Sequence, residues 1–210
     1  MSNFSPLARG RAAVALIFLQ IAIYFRMKKL MHHEIASRRL KLEDITAEKR
    51  LPLIALIDNV RSLYNVGSIF RTSDGALVEK LFLTGFTPHP PRKEIEKTAL
   101  GSTLSVPWEY HPSPLEPILR LRGFGYRICC LELTHNSRPY HTLRKDDFPL
   151  CLIVGNEIAG VSKEVMDLCD GAFEIPMFGT KQSLNVAVAY GIAAFECSRI
   201  WRDSQSNARV

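Results

Sequence analysis

The sequence predicts an α/β fold, a parallel sheet with helices on both faces, on three observations. Short apolar runs such as LPLIALI (51–57) and LCLIV (150–154) are unbroken rather than alternating, as in strands buried on both faces. They alternate along the chain with stretches of helical character, the order of βαβ units. Polar groups gather directly after the strands, where open parallel sheets hold ligands.

Taken in order, residues 31–50 are charged, with Ile35, Leu40 and Leu42 as their few apolar points, and read as a helix or arm. LPLIALI is the first strand and ends at Asp58-Asn59. After a polar link comes the helix VGSIFRTSDGAL, which Asn65 could cap and Gly75 could stop. KLFLTGF (80–86) is the second strand, residues 87–101 a proline-rich basic loop, and PLEPILRLRGFG a short helix. YRICCLEL (126–133), LCLIV (150–154) and AFEIPM (172–177) are further strands. SKEVMDLCD is a helix between the last two, and a long apolar helix runs from about Leu184 to Trp201. The polar residues 203–210 are expected to fray. The expected organisation is a basic arm over 1–50, a domain over 51–202 and this tail.

The chain has 210 residues, 47 % of them hydrophobic, enough for one globular core and an appendage. Its net charge of +6 is unevenly placed: residues 1–50 hold ten Lys and Arg against four Asp and Glu, and the rest holds seventeen of each. A basic arm on a neutral body suits a phosphate-bearing partner or an anionic surface, and a solvated basic helix is the plainer reading. Five cysteines without a C-x-x-C pair fit a reduced cytoplasm. Residues 12–25, AAVALIFLQIAIYF, are too few for a membrane span and lack a signal-peptide cleavage site. Since Met27 and Met31 read as natural starts, residues 1–26 rank first as upstream sequence, then as a membrane-associating helix, and last as a secretory signal. Membrane association is not expected.

Several chemistries are excluded by their missing residues. GNEIAGVS (155–162) places Val161 where a phosphate-loop lysine belongs. No strand runs into G-x-G-x-x-G, and no G-x-S-x-G elbow occurs. The six histidines lack ligand spacing, so no metal is expected.

Three stretches carry a resemblance: NVGSIFRT (65–72), LIVGNEIAGVS (152–162) and IPMFGTKQSLNVAVA (175–189), in that order, are similar to the motifs of the SpoU (TrmH) branch of the SPOUT methyltransferases. The likeness covers about Leu51 to Arg202, and one departure is Ala187, where many relatives have serine. It implies a parallel sheet ending in a deep C-terminal trefoil knot, methyl transfer from S-adenosylmethionine to a ribose 2′-hydroxyl of tRNA or rRNA, and a homodimer whose sites draw on both subunits. It implies cofactor contacts at Thr134, Gly155, Ile175 and Leu184, mostly through main chain. By the same likeness Arg71 is the central catalytic residue, gripping the substrate phosphate and steadying the developing alkoxide. Asn65, Ser183 and Asn185 then orient Arg71 and the ribose, and Glu157 fixes Asn65 or its loop.

Taken singly, these residues have plainer roles: Asn65 and Ser183 as helix caps, Arg71 in a surface ion pair, Glu157 in a solvated loop. Their joint occurrence in order favours the enzyme. A non-catalytic RNA-binding or ribosome-assembly protein on the same fold is the alternative. For RNA contact, Arg92, Lys93 and Lys97 beside His89, with the basic residues of 26–50, are the candidates.

Overall fold

The structure, a computed structural model, describes residues 29–207. The apolar stretch 12–25 lies outside the described residues, as do 208–210. The chain divides into two compact units, Met1–Lys41 and Leu42–Val210. In the first, α1 (His32–Ser37) opens with Glu34 accepting from the Met31 amide at 2.6 Å.

In the second unit, packing extends ahead of Leu51. Ile45 is buried, and the Arg50 guanidinium donates to the carbonyls of Val78 (3.1 Å) and Ser105 (2.7 Å). The strands are β1 (Leu51–Asp58), β2 (Val78–Thr84), β3 (Trp108–His111), β4 (Arg127–Leu131), β5 (Arg138–Pro139), β6 (Leu150–Val154) and β7 (Gly171–Glu174). They form one seven-stranded sheet in the order β3-β2-β1-β6-β4-β7-β5, with every pairing parallel. The helices are α2 (Leu63–Ala76), α3 (Lys93–Ala99), α4 (Leu115–Gly123), α5 (Lys163–Met166) and α6 (Val186–Asn207).

The two-sided burial read from LPLIALI has its partners here. Leu53, Ala55 and Ile57 of β1 pack with Val66, Ile69 and Phe70 of α2 and with Tyr190 and Ala194 of α6, while Ile54 and Leu56 face Ile118 and Leu121 of α4. Two polar contacts fix α2 against its neighbours. Ser73 donates its one hydroxyl proton to the Ile69 carbonyl (2.8 Å), so the buried Tyr190 hydroxyl, 2.7 Å away, donates to Ser73 Oγ. On its other side α2 crosses α3 at Gly67, where a Cβ would collide with Thr98 and the Ile95 carbonyl, and Thr98 Oγ1 donates to the Tyr64 carbonyl at 3.1 Å. All five cysteines are free; Cys129, Cys130, Cys151 and Cys197 are buried and Cys169 half-buried. Among the described residues no helix is long and apolar enough to cross a membrane, and no cluster of His, Cys, Asp and Glu is placed to hold a metal.

Four local expectations are corrected. Ser62, not Asn65, caps α2: its hydroxyl accepts from the Asn65 amide at 3.3 Å, and Asn65 is the third helical residue. The helix passes Gly75 and stops at Leu77, which adopts the left-handed conformation at φ 56°. The loop 87–101 contains α3, because Ile95 and Ala99, four residues apart, both bury one face of KEIEKTA. Most of the expected tail is helical, since α6 continues to Asn207.

Candidate active site

The crevice beyond the carboxyl ends of β4, β6 and β7 opens into a cavity of about 450 Å³. Two loops build it, 155–161 after β6 and 175–185 between β7 and α6. The first is a tight backbone cradle. Asn156 and Gly160 exchange both amide-to-carbonyl bonds (3.0 and 2.9 Å), and Asn156 Oδ1 accepts from the amides of Ile158 and Ala159, each at 2.9 Å. Gly155 permits this fold-back, because a Cβ there would collide with the Gly160 carbonyl, and Gly160 itself takes φ +68°.

A carboxylate at the end of β4 pins the cradle from below. Glu132 accepts from the Val161 amide (3.1 Å) through one oxygen and from the Leu133 amide (2.9 Å) through the other. The sequence reading missed Glu132. The expected strand 126–133 enclosed it, whereas β4 ends at Leu131, and its partner Val161 lies 29 residues away.

A second carboxylate organises the rim. Glu157 accepts from the backbone amides of Arg61 (3.0 Å) and Ser62 (3.1 Å) at the start of α2 and from Asn65 Nδ2 (2.9 Å). Burial raises its affinity for a proton, but the hydrogen bonds from Arg61, its own amide, Asn65 and Ser62 outweigh that and hold the carboxyl below its ordinary range. Asn65 Oδ1 in turn accepts from Asn185 Nδ2 at 3.1 Å. Asn185 is also the cap of α6, its side chain accepting from the amides of Ala187 (2.9 Å) and Val188 (3.4 Å). Thus Glu157, Asn65 and Asn185 form one chain joining three segments of sequence, with Ser183 exposed on the cavity wall beside them.

The remaining candidates fall in different places. Gly155, Ile175 and Leu184 line the cavity, whereas Thr134 does not: its amide and carbonyl are both engaged by Ser137 Oγ (3.2 and 2.8 Å). Arg71 lies apart from the Asn65 chain. Six helical residues turn it about 120° around α2 from Asn65 and about 9 Å along the axis. It lines a second cavity, also of about 450 Å³, with Ser68, Thr72, Lys97, Thr98 and Phe195. The close crossing at Gly67 is what brings Lys97 of α3 alongside it. Arg92 and Lys93 are exposed at the start of α3.

The two cavities have opposite charge. The first is lined by Glu132, Glu157 and Glu174 and by no Lys, Arg or His; the second carries Arg71 and Lys97 and no carboxylate. The first suits a ligand of net positive charge and repels polyphosphates; the second suits an anion.

A parallel α/β sheet with an acidic, backbone-built crevice beyond its strands and a cationic cavity between two helices suits a cationic small molecule in the first and an anion in the second. Residues 52–195 match the model of the SpoU rRNA methylase family, and the chain belongs to that family. It is 33 % identical over 174 residues to the tRNA (guanosine(18)-2′-O)-methyltransferase of Aquifex aeolicus, covering 81 % of this chain and 80 % of that one. Among solved structures, the TrmH/SpoU tRNA modifying enzyme of A. aeolicus superposes with a TM-score of 0.71 at 31 % identity, over 78 % of this chain and 82 % of the other. The SpoU methyltransferase AviRb of Streptomyces viridochromogenes, solved in complex with the cofactor AdoMet, gives a TM-score of 0.65 at 29 % identity, over 78 % and 65 %.

Proposed function

We propose that the chain is an S-adenosylmethionine-dependent methyltransferase acting on the ribose 2′-hydroxyl of a nucleotide in tRNA or rRNA. The observation that carries this reading is the joining of Glu157, Asn65 and Asn185 at the rim of an acidic cavity, in a member of a methylase family. S-adenosylmethionine supplies a methyl carbon activated on a sulfonium. With its sulfonium and ammonium against one carboxylate it is a net cation, the charge that the three glutamates favour, and the cavity volume lies within the usual range for ligands of its size.

Gly155, Ile175 and Leu184 offer backbone groups to the adenine and methionine ends. Asn65, Ser183 and Asn185 orient the ribose, with Glu157 holding Asn65. A ribose hydroxyl is a weak nucleophile, so alignment with the methyl carbon supplies much of the acceleration. Transfer forms an O2′–C bond, breaks an S–C bond and releases the hydroxyl proton. Arg71 grips the adjacent phosphate and steadies the alkoxide; a guanidinium is already protonated, so the hydroxyl proton leaves by way of that phosphate to water.

Further parts of the reading rest on the family likeness. The loop 175–185 and α6 form the trefoil knot, threaded so that both cavity loops stay free of sheet pairing. The homodimer forms through α6, where Val188 and Phe195, seven residues apart on one helical face, are 52 % and 54 % exposed. That arrangement supplies a partner's Arg71 to the cavity that Arg71 does not reach in its own chain. Residues 51–202 are the methyltransferase domain of a cytoplasmic enzyme, and the basic residues of 1–50, with Arg92, Lys93 and Lys97, draw in the RNA.

The test is incubation with isotope-labelled S-adenosylmethionine and separate pools of unmodified tRNA and rRNA, followed by nucleoside mass spectrometry. Label in a 2′-O-methyl nucleoside of one pool is the expected result. Cofactor binding without label in either pool would favour an RNA-binding scaffold on the same fold.

A further inference from the structure

A turn at the carboxyl end of β2 displays one aromatic ring to solvent while its backbone is fixed on either side. Phe86 is 61 % exposed, yet Thr87 next to it is 2 % exposed, with its hydroxyl donating to the Ile57 carbonyl (3.0 Å) and accepting from the Val60 amide (3.1 Å). On the other side Gly85 takes φ +65°, a Cβ there would also collide with the Asn59 side chain, and Asn59 Oδ1 accepts from the Phe86 amide at 3.2 Å. Tyr110 of β3 closes the turn, donating to the Gly85 carbonyl at 2.8 Å while its ring meets His89 at 4.7 Å between centroids. Beyond His89 the chain passes through Pro90 and Pro91 to the exposed Arg92 and Lys93.

Single exposed apolar residues are common on protein surfaces and usually ask for no explanation. Three features set Phe86 apart. Its backbone is locked, so ordering the ring for a partner costs little conformational entropy. Two exposed cations follow it within seven residues of sequence. And the turn is wired to the cofactor loop: the Asn59 carbonyl accepts from Asn156 Nδ2 at 2.8 Å, the same Asn156 that shapes the cradle. We propose that Phe86 is a stacking platform for an unpaired base of the substrate RNA, with Arg92 and Lys93 taking the phosphates that flank this base. The inference rests on the RNA-methyltransferase reading and narrows it to a nucleotide presented in a single-stranded loop or bulge, since only a splayed base offers its face to an aromatic ring.

Direct binding of unmodified tRNA and rRNA pools, measured at several salt concentrations without requiring turnover, tests the platform. For the pool that the wild type prefers, Phe86→Ala and Phe86→Leu are expected to weaken binding about 5- to 150-fold, the range for losing one base-stacking partner, whereas Phe86→Tyr retains it. The salt slope stays at the wild-type value in all three, because no phosphate contact is lost, while Arg92→Ala lowers the slope by about one. S-adenosylmethionine affinity and thermal midpoint stay unchanged, as the ring is exposed and outside the cavity. RNA affinity unaltered in Phe86→Ala, or Leu serving as well as Phe, would overturn the proposal. So would a change of oligomeric state in Phe86→Ala, which would mark the ring as a contact between copies of the chain. Failure of the wild type to methylate either pool speaks to the enzymatic reading instead and leaves this binding comparison intact.

Discussion

The acidic cavity and the cationic cavity place their functional groups by different physical means. In the first, carboxylates are turned inward onto the chain: Glu132 and Glu157 accept from backbone amides and thereby fix the loops that line the cavity. In the second, long cations project from two helices held together at Gly67, and what is fixed is the helices rather than the charged ends. The difference teaches that one region is tuned by position and the other by charge. Loop geometry set by hydrogen bonds to anchoring carboxylates responds to pH and to mutation of the anchors, whereas exposed guanidinium and ammonium groups respond to ionic strength.

The sharpest way to break the comparison is Arg71→Ala. The expected outcome is a loss of methyl transfer of about 100-fold or more, the scale of removing one donor from a developing oxyanion, with S-adenosylmethionine affinity nearly unchanged. Single-turnover rates and calorimetric titration of the cofactor separate the two. Unchanged turnover would remove Arg71 from the chemistry, and lost cofactor affinity would merge the two regions.

A middle-sized effect comes from Glu157→Gln, which exchanges an acceptor for a donor facing two amides and, discounted for its exposure to solvent, is expected to cost about 0.5–1.5 kcal/mol at neutral pH. Because the folded carboxyl titrates below its ordinary range, the stability it contributes is full above the unfolded value, near 4.3, and is lost as pH falls through the folded value. The thermal-midpoint gap between wild type and variant should therefore narrow on acidification below about pH 4. A constant gap would show that shape, not charge, is what Glu157 supplies.

The smallest effect is that of Lys97→Ala. Losing one exposed phosphate contact should weaken RNA binding modestly and lower its salt slope by about one, with no change in cofactor affinity. An unaltered slope would show that Lys97 does not meet a phosphate.

Much of this arrangement was legible in the amino-acid order. LCLIV gives β6 to the residue, because an uninterrupted apolar run buried on both faces has few other ways to be satisfied. β3 was invisible: WEYH is short, has no apolar run and lies on the sheet edge, so only one side of it is paired. β5 is two residues long and left no periodicity to read. At the site, motif order brought Asn65, Glu157 and Asn185 to notice, but not that Asn185 caps α6 or that Arg71 turns away from them. Those facts depend on where a helix starts, and the actual starts, Ser62 and Asn185, lie three residues before Asn65 and two after Ser183.

The cysteines carry a consequence of another kind. Three of the buried four sit on β4 and β6 in the middle of the sheet and the fourth on α6, and burial pushes the Cys129 thiol up to about 11 and the Cys197 thiol up to about 12. An alkylating reagent meets these sulfurs only when strands part or the last helix lifts. The chain therefore carries its own stopwatch: the pace at which its native thiols are consumed times the opening of the sheet, with no probe attached and no residue changed.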